Sequence, residues 1–127
     1  MPSKHLSTGQ LGENIACHYL KKKGYTIVAR NYTNSEGVRL GEIDIIALYK
    51  GRIVFVEVKT RIERYTEELP PEANINRDKL RKLTRIANVY LRSTRQQDKA
   101  YGFDAISVLI NETDGKARIR HLPDIFL

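Results

Sequence analysis

The chain has 127 residues, 41% of them hydrophobic and 29% charged, which predicts a single globular domain over residues 1–127. Its one cysteine, Cys17, excludes an internal disulfide and with it a disulfide-framed secreted scaffold. No apolar run approaches the roughly 20 residues that span a bilayer, and the first residues lack the apolar stretch of a signal peptide. We therefore expect a cytoplasmic protein without a membrane partner. The net charge of +7 is typical of proteins that bind polyanions.

The first half of the chain predicts one helix followed by three strands. Ser7 and Gln10 have the spacing of a capping box, and apolar residues recur at helical intervals behind them. The helix is therefore expected over residues 7–23. Aromatic and β-branched residues predict strands over residues 25–31, 40–49 and 52–60.

The second half predicts a loop, a helix and two more strands. The loop covers residues 61–76, which are polar and include Pro70-Pro71. The helix is expected over residues 77–95, and the strands over residues 101–110 and 116–121. The fold class is therefore α/β, with a mixed β-sheet flanked by helices in the order α-β-β-β-α-β-β.

Two acids lie inside apolar strands that we expect to pair. Lys50-Gly51 separates these strands and has the length and composition of a two-residue hairpin turn. That turn fixes the register and places Asp44 directly opposite Glu57, where like charges are destabilising. A structure selected for stability alone would avoid such a pair.

A divalent cation would resolve this repulsion. Asp44 and Glu57 are hard oxygen ligands of the kind that Mg²⁺, or Mn²⁺ in its place, prefers. Such an ion can polarise a phosphodiester, and Lys59, on the same strand face as Glu57, can offset developing negative charge. The alternative is structural: Glu57 and Lys59 form a solvated face, and Glu42, which the register places opposite Lys59, forms an ordinary ion pair with it.

The positive charge is concentrated in one segment. Residues 77–99 contain eight basic residues against two acids and so supply six of the seven net charges. This balance favours a phosphate-binding helix over a merely solvated one. No aromatic residues are interleaved with these cations in a way that indicates single-strand specificity. The candidate contacts to DNA phosphates are Arg61, Arg77, Arg81, Lys82 and Arg85.

Several motifs resemble those of a known family. Asp44, twelve intervening residues and Glu57-Val58-Lys59 resemble the PD-(D/E)xK nuclease signature, with Ile43 in place of its proline. Over nearly the whole chain the sequence more closely resembles the YraN family of small bacterial proteins. The segments that carry this resemblance are Gly12-Glu13, Gly24-Tyr25, Asn31-Tyr32, Gly41-Glu42-Ile43-Asp44, Phe55-Val56-Glu57-Val58-Lys59-Thr60-Arg61 and Phe103-Asp104.

The resemblance implies both a fold and an activity. The YraN family is similar to archaeal Holliday-junction resolvases, which implies a restriction-endonuclease-like core and a metal-dependent endonuclease that acts on DNA, including branched or junction DNA. It also implies that Glu13 completes the catalytic site formed by Asp44, Glu57 and Lys59. From the residues alone, Glu13 is equally a favourable first-turn acid, and Asp104 is either a neighbour of the site or a hydrogen-bonded structural acid.

Two classes of function follow from these observations. The first is the endonuclease, and the second is a nucleic-acid-binding or adaptor protein that keeps the nuclease fold without cleaving. A subunit that depends on a protein partner is a further alternative, because a 14.6 kDa domain spans little of a branched junction alone. A symmetric homodimer would suit the two-fold symmetry of a DNA junction.

Overall fold

The chain folds into two helices and five strands within the part that the structure describes. The structure is a computed structural model that describes residues 6–35, 37–63 and 77–125. The element order is α-β-β-β-α-β-β, as the sequence predicts. The elements are α1 (Thr8–Lys22), β1 (Thr26–Tyr32), β2 (Ile43–Tyr49), β3 (Arg52–Glu63), α2 (Arg77–Ser93), β4 (Tyr101–Asn111) and β5 (Ala117–Leu122).

Helix α1 begins and ends where local chemistry dictates. The Ser7 hydroxyl accepts a hydrogen bond from the Gln10 amide at 3.1 Å, and the Ser7 amide donates to Oε1 of Gln10 at 3.0 Å. This reciprocal pair confirms the predicted capping box. At the other end Gly24 has φ +98°, a left-handed conformation that terminates the helix.

The five strands form one mixed sheet in the order β1-β2-β3-β4-β5. All neighbours are antiparallel except β3 and β4, which are parallel because α2 lies in the crossover between them. Lys50 and Gly51 have φ values of +49° and +78°, as a type I′ hairpin turn requires. The predicted hairpin register is confirmed from the Tyr49–Arg52 pair to the Ile45–Val56 pair.

The helices cover opposite faces of the sheet. Helix α1 packs its buried residues against side chains such as Val54 and Val56, and α2 packs against Phe55 and Phe103 on the other face. Residues Ile53 to Val56 are each about 1% exposed, because β3 is central and covered on both sides. This α/β arrangement confirms the predicted fold class and is consistent with the restriction-endonuclease-like fold that the family resemblance implies.

Three element boundaries differ from the sequence prediction by two or more residues. Strand β3 continues to Glu63 instead of ending at residue 60, because β4 pairs with it as far as Glu63–Asn111. Strand β2 begins at Ile43 and not at residue 40, and α2 ends at Ser93. The predicted loop therefore loses its first three residues to β3, and the rest of it, including Pro70-Pro71, lies outside the described residues. No described helix is long and apolar enough to cross a membrane.

Candidate metal centre

Three carboxylates from different parts of the chain meet near the start of β2. They belong to Glu13 on α1, Glu42 just before β2 and Asp44 on β2, and one oxygen from each lies within 4.8 Å of the others. All three residues are partly shielded from solvent. We call Glu13, Glu42 and Asp44 the acidic cluster. From the sequence, only the family resemblance implies that Glu13 belongs to the site. Glu42 enters the sequence analysis only as a candidate ion-pair partner of Lys59.

Asn31 holds two members of the acidic cluster together. Its side-chain amide donates to Oε1 of Glu13 at 2.9 Å and to Oε1 of Glu42 at 2.9 Å. Asn31 has φ +52°, an unusual backbone conformation that Asn tolerates better than most residues. It lies on β1 between the residues paired with Ile45 and Ile43, and therefore next to Asp44. Asn31 lies in one of the segments that resemble the YraN family, but nothing in the sequence indicates that it bridges two carboxylates.

A close contact between α1 and β3 brings Glu13 to the sheet. Gly12 packs so tightly against the side chain of Thr60 that a Cβ atom at position 12 would overlap it. Any larger residue would push the helix away from the strand. Because Glu13 follows directly, the distance of its carboxylate from Asp44 depends on this glycine. Arg30 lies 3.5 Å from Glu13 and partly balances its charge.

Asp44 occupies the most unfavourable electrostatic position of the cluster. Burial first, and then the charge of Glu57, raises the pKa of its carboxyl from 3.8 to about 7. Glu13 and Glu42 raise the pKa further, whereas a hydrogen bond that the Val58 amide donates to Oδ2 at 2.8 Å opposes the rise. The hairpin register thus brings Asp44 and Glu57 into the repulsive proximity that the sequence predicts.

Glu57 links the acidic cluster to helix α2. Its Oε1 lies 2.9 Å from Nζ of Lys79, and its side chain is 13% exposed. A cavity of about 150 Å³ opens at this point, and Glu42, Glu57, Lys79 and Lys82 supply its charged lining. The sequence singled out Lys82 as a phosphate contact but did not single out Lys79, because the pairing of α2 with β3 is a tertiary contact.

Lys59 and Arg61 follow Glu57 along β3 and are exposed. Strand alternation places both on the face of Glu57. The predicted ion pair between Lys59 and Glu42 is not present among the described residues. Glu42 precedes the first residue of β2, and its carboxylate contacts Asn31 and Arg39 instead. This geometry weakens the purely structural alternative for Lys59.

The predicted phosphate contacts on α2 all face solvent. Arg77, Arg81, Lys82 and Arg85 are exposed, while the buried stripe of the helix includes Leu80, Leu83 and Ile86. Arg81 forms an exposed ion pair with Asp78 at 3.6 Å, which is worth little in water. The cationic groups of the four predicted phosphate contacts are therefore accessible to an anionic ligand.

The acidic cluster fits a divalent cation in its chemistry. Its donors are hard carboxylate oxygens that lie close together. Burial first, and then the charges of Glu57, Glu13 and Glu42, raise the pKa of the Asp44 carboxyl. Mg²⁺ and Mn²⁺ prefer such oxygens. The Asn31 amide donates to Glu13 and Glu42, and the Lys79 ammonium pairs with Glu57, so both offset part of the negative charge. Glu57, at the margin of the cluster, is a further candidate ligand.

Asp104 is a structural acid and does not belong to this site. It is 2% exposed, and its Oδ2 accepts a hydrogen bond from the Tyr25 hydroxyl at 3.1 Å and lies 2.7 Å from Nε2 of His121. Its Oδ1 accepts from the Asp124 amide at 3.0 Å. Burial, and then the charge of Asp104, raises the pKa of Tyr25, so the phenol remains a donor.

Comparison with known proteins places the chain in a family. Residues 12–108 match Uncharacterised protein family UPF0102. A UPF0102 protein of Caldanaerobacter subterraneus subsp. tengcongensis is 41% identical over 121 residues, covering 94% of each chain. One from Alkaliphilus oremlandii is 43% identical over 120 residues, covering 93% of this chain and 96% of its own. The chain therefore belongs to UPF0102, the YraN family, as its motifs predict.

Proposed function

We propose that this protein is a metal-dependent endonuclease that acts on DNA, with branched or junction DNA as its substrate class. One observation carries the proposal: the acidic cluster lies beside the cationic face of α2, and one cavity is lined by members of both. A phosphodiester that binds the cations of α2 is thereby brought to the carboxylates. The restriction-endonuclease-like fold and the family are compatible with this activity.

The carboxylates would hold Mg²⁺ or Mn²⁺. Asp44 and Glu57, which interact with each other, are the proposed principal ligands, and Glu13 and Glu42 lie close to Asp44. When bound, the ion would polarise the phosphodiester and lower the pKa of an attacking water. Asn31 fixes the orientation of Glu13 and Glu42, so the oxygens of these two residues need little rearrangement. Preorganised ligands lower the cost of assembling the reactive complex.

Lys59 is the proposed catalytic lysine. It lies on the Glu57 face of β3, is exposed, and has no carboxylate partner among the described residues. An ammonium group in this position stabilises negative charge that develops on the phosphate oxygens. Arg61 continues the same face, and Arg77, Arg81, Lys82 and Arg85 bind the phosphates that flank the scissile bond.

A cleavage assay tests this function directly. The wild type and Asp44→Ala are compared on duplex, flap and four-way-junction DNA with Mg²⁺ or Mn²⁺. Glu112→Ala is the matched control, because Glu112 is an exposed acid in the turn between β4 and β5. We expect the wild type and Glu112→Ala to cleave, and Asp44→Ala to be inactive.

Two results would overturn the proposal. One is a wild type that is inert on every substrate with both metals, and the other is an Asp44→Ala variant that cleaves at the wild-type rate. The first result, combined with retained DNA binding, would indicate a nucleic-acid-binding or adaptor protein that keeps the nuclease fold.

A further inference from the structure

A second and larger cavity lies farther along α2. Its volume is about 520 Å³, within the range of small-molecule and nucleotide sites. The residues that give it chemical character come from α2, the segment that follows α2 and the first residue of β4. They are Arg85, Asn88, Arg92, Gln97 and Tyr101. None of these residues belongs to the acidic cluster.

The lining has the composition of a nucleotide site. Arg85 and Arg92 are exposed cations suited to phosphate, and Asn88 and Gln97 offer amides that can donate to and accept from a base edge. Among the described lining residues there is no carboxylate to repel an anion. The remaining described lining residues are aliphatic.

Tyr101 adds an aromatic surface that is held in place. Its side chain is 38% exposed, and its ring packs edge-on against Phe55 at 6.0 Å and Phe103 at 6.1 Å between centroids. A fixed and partly exposed ring is a stacking platform for an unpaired base. Residues 77–99 contain no such exposed ring next to their cations. Tyr101, on β4, supplies one in the cavity that Arg85 and Arg92 also line.

The large cavity adjoins the small cavity beside the acidic cluster. Leu40 lines both this cavity and the small one that contains Glu42, Glu57 and Lys82. Along α2, Lys82, Arg85 and Arg92 fall at intervals of three and seven residues and therefore on one stripe of the helix. Ten residues of helix span about 15 Å, so these cations connect the two cavities over a short distance.

We propose that the large cavity binds an unpaired nucleotide of a single strand that continues to the acidic cluster. In a duplex the base faces are stacked and unavailable, so a duplex would contact only the outward-facing cations. An unpaired nucleotide engages the phosphate-binding arginines, the amides and the Tyr101 ring together. The inference rests on the proposed function for DNA as the substrate class, and it narrows that class to DNA with a single-stranded segment.

The experiment measures binding without cleavage. The full chain is titrated into a fluorescein-labelled short oligothymidylate, or into a labelled duplex of the same length, in buffer without divalent ions, and fluorescence anisotropy is recorded. The variants are Arg92→Gln, Tyr101→Leu and Tyr101→Phe. Lys22→Gln is the charge-matched control, because Lys22 is exposed on α1, which packs on the opposite face of the sheet.

We expect a selective loss of single-strand binding. Tyr101→Leu should weaken oligothymidylate binding at least about fivefold, whereas Tyr101→Phe, which retains the ring, should bind like the wild type. Arg92→Gln should weaken it as well and reduce the log–log salt slope by about 0.7. Lys22→Gln should change neither quantity, and Tyr101→Leu should leave duplex binding unchanged.

The result that overturns the inference is wild-type oligothymidylate binding by both Arg92→Gln and Tyr101→Leu. An equal loss of affinity for duplex and for single-stranded DNA would also overturn the inference, because such a loss would indicate only a general attraction of phosphates. Arg92 is exposed, so its variant remains informative if Tyr101→Leu fails to fold. Selective loss of single-strand binding in a protein that cleaves nothing would refute the proposed endonuclease and support the cavity assignment.

Discussion

The ammonium group of Lys79 lies 2.9 Å from Oε1 of Glu57, so α2 places a cation at the margin of the acidic cluster. The Glu57 side chain is only 13% exposed, whereas that of Lys79 is 38% exposed. The pair therefore joins a shielded carboxylate to a cation that can reach solvent. In the proposed function, Lys79 would compete with a metal ion for Glu57 and would at the same time attract a phosphate to the site.

Removal of Lys79 should move metal binding and DNA binding in opposite directions. In Lys79→Met, Glu57 is no longer neutralised, so the Kd for Mn²⁺ should fall by about two- to fivefold, consistent with a partly exposed ion pair. Duplex binding should weaken because a phosphate contact is lost. Isothermal titration with Mn²⁺ and anisotropy with DNA measure the two effects, and Lys22→Met on α1 is the control. Parallel changes in the two affinities would contradict this role.

Asp44 should destabilise the metal-free protein as the pH rises. Because its pKa is raised from 3.8 to about 7, the folded state retains a proton that the unfolded chain has already lost, and the free energy of unfolding decreases between about pH 4 and pH 7. Asp44→Asn removes this penalty and keeps an oxygen for the Val58 amide. Its free energy of unfolding should exceed that of the wild type by about 2–4 kcal/mol at pH 8. The two proteins should converge below pH 4, as urea unfolding would show.

The same variant separates electrostatic repulsion from metal binding. Mn²⁺ should raise the Tm of the wild type, because the proposed site exists only in the folded state, and should leave the Tm of Asp44→Asn unchanged. A variant that is less stable than the wild type at pH 8 and is still stabilised by Mn²⁺ would show that Asp44 is not part of a metal site.

Lys59→Met should separate catalysis from folding. The substitution keeps most of the aliphatic stem and removes the charge, so the Tm and Mn²⁺ affinity should stay near their wild-type values. The cleavage rate should fall on the order of 100-fold or more, because a positioned donor of positive charge is lost from the transition state. Single-turnover kinetics on the best branched substrate measure this loss. Cleavage at close to the wild-type rate would assign Lys59 to the solvated surface.

The cations on α2 should control the salt dependence of DNA binding. Replacement of Arg81, Lys82 and Arg85 by Ala removes three exposed charges from one helix. The log–log salt slope for duplex DNA should decrease in magnitude by up to about three units, and affinity should fall uniformly across sequences. Anisotropy titrations at several salt concentrations provide the slope. An unchanged slope would mean that this helix face does not contact phosphate.

The buried Asp104 network should affect stability without affecting the metal site. Asp104→Ala leaves the Tyr25 hydroxyl, the His121 ring and the Asp124 amide without their shared acceptor, at a cost of about 2–4 kcal/mol. Tyr25→Phe removes only one of these hydrogen bonds and should cost about 1 kcal/mol. Urea denaturation measures both, and Mn²⁺ titration below the unfolding transition should give wild-type affinity. A large change in that affinity would place Asp104 at the functional site.

Local features of the sequence were sufficient to predict the element order and the hairpin register. The capping box of Ser7 and Gln10 and the Lys50-Gly51 turn depend on residues close together in the chain, so their patterns indicate structure directly. Because the turn fixes which residues of the two strands pair, it places Asp44 near Glu57 without any further information. Local signals were less reliable at element ends: the start of β2 and the end of β3 depend on pairing with neighbouring strands, which the sequence does not show.

Only the tertiary structure decided which other residues join that pair. Glu42 contacts Asn31 and not Lys59. Lys79, on the helix that connects β3 to β4, pairs with Glu57. Tyr101, on β4, lines a cavity together with cations of α2. These partners lie in different elements, and the way the two helices pack on opposite faces of the sheet determines their distances. No periodicity along the chain encodes that packing, because it results from burying both apolar helix faces on one sheet at the same time.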